Sequence, residues 1–203
     1  VANWLIDFDM TLSQTFTTQI DWLNDAFGSE YTANSFKDWH SERVLSKEEA
    51  AFMWGEDCFL NPDFQMSVPM VEDADIAIRT LLDNGHGVVI VSDRPPSLYD
   101  VTYSWIDKNI GEILPVILTR SLHSKSSTND SIPTKQDIAD KLKLTYVVDD
   151  APHHAQEFAF MPNIERVYLV DTPSNRFVPQ SDVLVRAESW LHILEEEGML
   201  LTV

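Results

Sequence analysis

The 203-residue sequence predicts an α/β protein organised around a mostly parallel sheet, with a helical segment inserted near its start. Three observations carry this reading. From about residue 72 onward, helical and strand patterns alternate, as a layered α/β architecture requires. The strands read as continuous apolar runs, the mark of a sheet covered on both faces. Residues 14 to about 71 are instead aromatic and helical in period, with no convincing strand.

The first strand, Trp4-Leu5-Ile6, ends abruptly in Asp7-Phe8-Asp9. Two carboxylates flanking one hydrophobic residue repel each other unless a cation or a shared proton intervenes, so Asp7 and Asp9 suggest a metal site. An Asp-rich turn is the plainer alternative. In the insert, Ile20, Leu23, Ala26 and Phe27 share one helical face, and Ser46 with Glu49 matches a capping box in front of Ala50 to Trp54. Val71 to Leu82 carries apolar residues at helical spacing (Ala74, Ile76, Ala77, Leu81) and stops at Asn84-Gly85. Gly87 to Val91 is a strand ending at Ser92-Asp93-Arg94, Ser97 to Asn109 a helix, and Pro115 to Leu118 a short strand. Ser121 to Ser131 is a polar loop. Thr134 and Asp137 form an N-cap pair for a helix from Lys135 to Leu142. Tyr146 to Val148 is a strand ending in Asp149-Asp150, and Pro152 suits the first turn of the helix after it. Val167 to Val170 is a further strand, and Ala187 to Glu197 a terminal amphipathic helix.

Composition narrows the partners. A hydrophobic content of 44% is that of a packed protein rather than a disordered one. With 33 acidic against 14 basic side chains the formal net charge is -19, a field that repels polyanions and anionic membrane surfaces. A nucleic-acid duplex and a membrane are therefore not expected partners, whereas a small anion can bind where a cation and a few basic groups reverse the local potential. Cys58, alone of its kind, excludes an internal disulfide and fits a reducing compartment. No basic leader precedes the first strand, and no apolar run approaches the ~20 residues that span a bilayer. The expected location is cytoplasmic, and a homodimer is compatible with these features.

Ligands of parallel sheets sit beyond the carboxyl ends of the strands. Here those ends bring Asp7 and Asp9, Ser92, and Asp149 and Asp150, while Lys135 opens a helix facing the same edge. Acids for a hard cation, with a hydroxyl and an ammonium for anionic oxygens, form a set suited to phosphoryl transfer.

Asp7-Phe8-Asp9-Met10-Thr11, Ser92 after an apolar strand, Lys135, and Asp149-Asp150 after another strand resemble the four motifs of the haloacid dehalogenase-like hydrolase superfamily. The likeness covers roughly residues 3–13 and 72–170. It implies a Rossmann-like three-layer sandwich formed by residues 1–13 and 72–203, and a small helical type 1 cap formed by 14–71. A finer resemblance, to the 5'(3')-deoxyribonucleotidases, lies in Asn61-Pro62-Asp63-Phe64, Ser67-Val68-Pro69-Met70, Gly85-His86-Gly87-Val88 and Val147-Val148-Asp149-Asp150. That family usually has Gly where Met10 stands, and a different pair where this chain has Asp93-Arg94. These departures bear on the substrate and leave the chemistry intact.

The resemblance implies a Mg²⁺-dependent phosphomonoesterase acting on a small phosphorylated substrate, a nucleoside monophosphate first of all. Asp7 would be the nucleophile that forms an aspartyl-phosphate, and Asp9 would give a proton to the leaving alkoxide and take one from water, which asks that Asp9 hold a proton where Asp7 is ionised. The metal would take the Asp7 carboxylate, the Asp9 main-chain carbonyl and an acid from the last pair, with Asp150 as direct ligand and Asp149 behind it. Ser92, Asp93, Arg94 and Lys135 would form the phosphate site, and Phe36 and Trp39 of the insert would stack on a base. Thr11 would support the turn.

Each assignment has a rival. Asp149-Asp150 could be a simple turn, Lys135 a solvated helix residue, and Arg94 either a phosphate ligand or the partner of Asp93. His153-His154 resembles a metal pair, but adjacent helical residues do not share a face, so both are expected on the surface. Cys58 is expected in the core of the insert. Rival functions are a phosphatase of a sugar phosphate or phosphoamino acid, and a silent ligand-binding protein on the same fold. A dehalogenase is disfavoured because Asp9 is present.

Overall fold

The computed structural model describes residues 1–37, 40–119 and 133–200. The polar loop at 121–131 and Trp39 lie outside these described residues. Six strands, β1 (Asn3–Ile6), β2 (Gly87–Ser92), β3 (Val116–Leu118), β4 (Tyr146–Asp149), β5 (Arg166–Val170) and β6 (Leu184–Ala187), form one parallel sheet in the order β3-β2-β1-β4-β5-β6. β1 is central, its Ile6 opposite Ile90 of β2 and Val148 of β4. The chain leaves β1 first toward β2 and β3, then crosses to β4, β5 and β6, so the order reverses beside β1 and opens a crevice beyond its carboxyl end.

Alternating side chains of the buried strands feed two apolar layers. On one face Trp4, Ile6, Val88, Ile90, Val148 and Tyr168 pack with helices α4 (Ala74–Asp83), α5 (Tyr99–Ile110) and α8 (Trp190–Glu196). On the other, Leu5, Val89, Val91, Val147, Val167 and Leu169 pack with α6 (Lys135–Lys141) and α7 (Pro152–Ala159). This is the layered α/β architecture that the alternating pattern predicts, with the three layers that the family resemblance implies.

Between β1 and α4 lie three helices, α1 (Thr15–Phe27), α2 (Lys47–Trp54) and α3 (Pro62–Ser67), with apolar clusters of their own around Ile20, Leu23, Phe36, Leu45 and Met53, and around Cys58, Phe64 and Val68. The two chain crossings into this segment are stitched together: Gln14 N–H donates to Pro69 O (2.9 Å) and Val71 N–H to Leu12 O (2.8 Å). The Ser46–Glu49 capping box is present at α2, as is the Thr134–Asp137 box at α6. Cys58 is buried, and loss of water pushes its thiol up to about 12, which suits a core residue.

Some expectations are corrected. Ala187 ends β6 rather than opening the last helix; Ser189 caps α8 from outside, its hydroxyl accepting from His192 N–H. A four-residue edge strand is too short to show a period, so the sequence hides it. In α4 the buried face carries Ile78, while Ile76 is half exposed; in α1, Ile20 and Leu23 turn inward and Ala26 and Phe27 do not. No helix among the described residues is long and apolar enough to cross a membrane.

Leu5, fully buried on the central strand, and Leu142, 43% exposed after α6, offer a direct test of where stability resides. Leu5→Ala is expected to cost about 2–5 kcal/mol in urea denaturation, and Leu142→Ala about 0.5 kcal/mol or less.

Candidate active site

The carboxyl end of β1 is held rigidly before its acids are reached. Asp7 N–H extends the ladder to Val148 O (2.9 Å), and the loop then folds on itself, with Leu12 N–H and Ser13 N–H both donating to Phe8 O and Met10 N–H to Ser13 O (2.7 Å). Trp190 of α8 donates its indole N–H to Thr11 O (2.9 Å), anchoring the loop, while the Thr11 hydroxyl is buried without a partner among the described residues. The turn places Met10 at φ 59, a left-handed conformation unusual for a residue with a side chain.

Beyond this loop Asp7, Asp149 and Asp150 converge, offering three carboxylate oxygens within 4.8 Å of one another, all buried. Lys135 enters from the first turn of α6, its Nζ 2.6 Å from Asp7 Oδ1 and 2.8 Å from Asp149 Oδ2. Asp149 Oδ1 accepts from Ala151 N–H (2.8 Å), so both its oxygens are engaged. The Asp150 carboxylate makes no hydrogen bond among the described residues. Its main chain is fixed by Asn175, whose amide donates to Asp150 O (2.9 Å) and Val170 O (2.7 Å). Desolvation, then the neighbouring carboxylates, outweigh the Lys135 ammonium: Asp7 is pushed up to about 7 and Asp150 well above the usual carboxylate range. Burial works against the Lys135 charge too, but Asp149 and Asp7 overcome it and raise its pKa.

Asp9 points elsewhere. Arg94 grips it with a fork, Nε to Oδ2 at 2.9 Å and Nη2 to Oδ1 at 2.6 Å, and Thr15 at the start of α1 donates to Oδ1 at 2.6 Å. Ser92 is buried at the tip of β2, its hydroxyl accepting from Arg94 N–H (3.3 Å). The Asp93 carboxylate accepts from the Thr119 hydroxyl and pairs with His154 Nε2 (2.8 Å). Asp7, Asp9, Asp150, Lys135, Ser92, Asp93, Arg94 and His154 line one cavity of roughly 470 Å³. Its roof comes from the helical insert, with Phe16, Phe36, Trp54 and Phe59 among its lining, and its far wall from Thr172-Pro173-Ser174 after β5.

Comparison with protein-family models and with curated protein sequences finds no match. Solved structures do match over almost the whole chain. A haloacid dehalogenase-like protein from Agrobacterium tumefaciens is similar with a TM-score of 0.61 at 12% identity, covering 97% of each chain. A hydrolase from Pseudomonas syringae gives 0.59 at 12% identity over 98% of this chain and 99% of that one. The D,D-heptose 1,7-bisphosphate phosphatase of B. bronchiseptica, solved with magnesium and phosphate, gives 0.56 at 13% identity over 98% of both. The chain has the haloacid dehalogenase-like hydrolase fold.

Within the haloacid dehalogenase-like fold, the structure gathers Asp7, Asp9, Ser92, Asp93, Arg94, Lys135, Asp149 and Asp150 at one sheet edge. Phe36 reaches the cavity edge-on to Phe16 (5.0 Å between ring centres). Three placements differ from the sequence reading. Arg94 pairs with Asp9, 85 residues away, and its Nε, Nη1 and Nη2 are each engaged by a protein side chain. The Asp93 side chain brings a negative charge, bound to Thr119 and His154, and so gives a phosphate no favourable contact of its own. His154 is 7% exposed and lines the cavity, not the surface, because α7 starts directly behind the Asp149-Asp150 tip. Burial disfavours its charge, but the Asp93 hydrogen bond prevails and raises its pKa, while burial, then His154, push His153 down to about 4. The sequence reading also passed over Thr172-Pro173-Ser174, although they follow a strand tip on the same edge.

The acid cluster fits a divalent cation of the Mg²⁺ class. Its ligand atoms are all hard oxygens, the Asp150 carboxylate has no hydrogen-bond partner among the described residues, and Lys135 pairs with only two of the three buried carboxylates. Because a cation must displace the protons that burial forces onto Asp7 and Asp150, Mg²⁺ binding is expected to strengthen as pH rises through about 7. Thermal unfolding with and without MgCl₂ checks this: the metal-induced rise in Tm should be larger at pH 8 than at pH 6 and lost in Asp150→Asn. A rise independent of pH would contradict it.

Proposed function

We propose that this chain is a Mg²⁺-dependent phosphomonoesterase that works through an aspartyl-phosphate on Asp7, with nucleoside monophosphates as its substrates. The observation that carries this reading is the setting of Asp7: a buried carboxylate at the cavity floor, 2.6 Å from Lys135, grouped with Asp149 and Asp150 and sharing the cavity with Ser92. That set suits a tetrahedral oxyanion beside a cation.

In the first step an Asp7 oxygen bonds to phosphorus, the ester P–O bond breaks, and Asp9 protonates the departing oxygen. In the second a water oxygen bonds to phosphorus, the bond to Asp7 breaks, and the water proton passes to Asp9. Lys135 and the Ser92 hydroxyl hold the phosphoryl oxygens, a role in which loss of one donor typically costs ~10²–10³ in turnover. Asp7, Asp150 and the Asp9 main-chain carbonyl would hold Mg²⁺, which neutralises charge on the phosphate. The similarity in fold to a heptose bisphosphate phosphatase solved with magnesium and phosphate supports the metal and the reaction class.

The nucleotide is supported by the roof. Phe16, Phe36, Trp54 and Phe59 border the same cavity as the acids, and aromatic faces over a phosphate site offer a base a stacking surface. Phosphate release from a panel of ribo- and deoxyribonucleoside monophosphates, sugar phosphates and phosphoserine, with and without Mg²⁺, checks the proposal. Nucleotides are expected to turn over best, in Mg²⁺ alone, and Asp7→Asn to be inert. A preference for sugar phosphates or phosphoserine would refute the substrate, and an active Asp7→Asn protein the mechanism.

A further inference from the structure

Arg94 stands one residue beyond the Ser92-Asp93 tip, and every nitrogen of its guanidinium is engaged by a protein side chain. It is 1% exposed. Nε and Nη2 form the fork on Asp9, Nη2 also lies 3.5 Å from the Thr15 hydroxyl, and Nη1 donates to the Thr102 hydroxyl of α5 at 2.9 Å. The guanidinium plane is further held against the Phe8 ring, 4.1 Å from its centre, and faces Phe59 of the insert at 5.7 Å. Five residues thus surround one side chain, and its fork engages both oxygens of Asp9, a residue whose own side chain is 28% exposed.

We propose that Arg94 is a positioning residue for Asp9: it holds the carboxylate in the orientation from which it exchanges a proton with the leaving oxygen and then with water. The assignment rests on the phosphomonoesterase reading above. A planar fork does this and a point charge does not, because two parallel hydrogen bonds fix rotation of the carboxylate as well as its place. The Thr102 anchor sets the fork itself, and Thr15 ties the same carboxylate to the start of α1.

Positioning and phosphate binding separate when the leaving group is varied. p-Nitrophenolate departs without protonation, so with p-nitrophenyl phosphate only the second step needs Asp9. In Arg94→Gln, stopped-flow measurement in Mg²⁺ is expected to show a burst of nitrophenolate near one equivalent, absent from the wild type, followed by turnover about 10²-fold slower. With a nucleoside monophosphate the same variant should be slow without a burst, and inhibition by inorganic phosphate should match the wild type. Arg94→Lys should behave as Arg94→Gln does, since it keeps the charge and loses the fork. Wild-type turnover in Arg94→Lys, weakened phosphate inhibition with kcat retained, or an equal loss on every substrate with no burst would each overturn the inference. If circular dichroism shows both variants unfolded, Thr102→Val, which removes only the anchor, must show the burst in reduced form, and its absence overturns the inference equally. A wild-type protein that turns over no phosphate ester overturns the phosphomonoesterase reading, and this assignment falls with it.

Discussion

Three carboxylates, Asp7, Asp149 and Asp150, are buried within reach of one another at the carboxyl end of the central strands, with the Lys135 ammonium set between two of them. Each charge has left water, and the attraction to Lys135 compensates only part of that cost. The rest appears as the upward shifts of Asp7 and Asp150. A structure retains such a cluster when something else supplies the missing positive charge, and much of the surrounding architecture serves to keep these groups from drifting apart. The ladder bond of Asp7 to Val148, the Ala151 N–H on Asp149 and the Asn175 amide on the Asp150 carbonyl each remove one freedom.

The acids differ in environment rather than in type. Asp7 sits in the dry, negative cluster; Asp9, two residues on, is turned toward a guanidinium and a hydroxyl. The sequence reading asks that Asp7 be the ionised acid and Asp9 the one that holds a proton. Burial, reinforced by Asp149 and Asp9 and only partly offset by Lys135, instead pushes Asp7 up to about 7. A cation at the cluster would favour the Asp7 carboxylate, so that binding of the metal and ionisation of the proposed nucleophile would be linked.

The sheet and the acid tips were legible because each is a local pattern. An apolar run followed by charge names a strand end, and the parallel topology then places three such ends on one edge. Lys135 was legible for a similar reason, as the first residue of a capped helix at that edge. The partners were not. Arg94 meets Asp9 across 85 positions and His154 meets Asp93 across 61, and nothing local distinguishes an arginine that will fork a carboxylate from one that will bind a phosphate. His154 was misjudged by asking only whether two adjacent histidines could share a face, when the start of α7 behind Asp150 decides the matter. The brief edge strand β6 escaped because four residues cannot display a period, and the cavity roof because its aromatics look like any helical core until the insert is folded over the sheet.

The central claim is that the buried cluster makes Asp7 a nucleophile. Mass spectrometry of protein quenched in acid during turnover of a phosphomonoester with Mg²⁺ tests it most directly. The account predicts one phosphoryl group, acid-stable and lost in alkali as an acyl phosphate is, on the peptide that contains Asp7, and none in Asp7→Asn. Steady turnover with the phosphoryl group on another residue, or undiminished in Asp7→Asn, would contradict it.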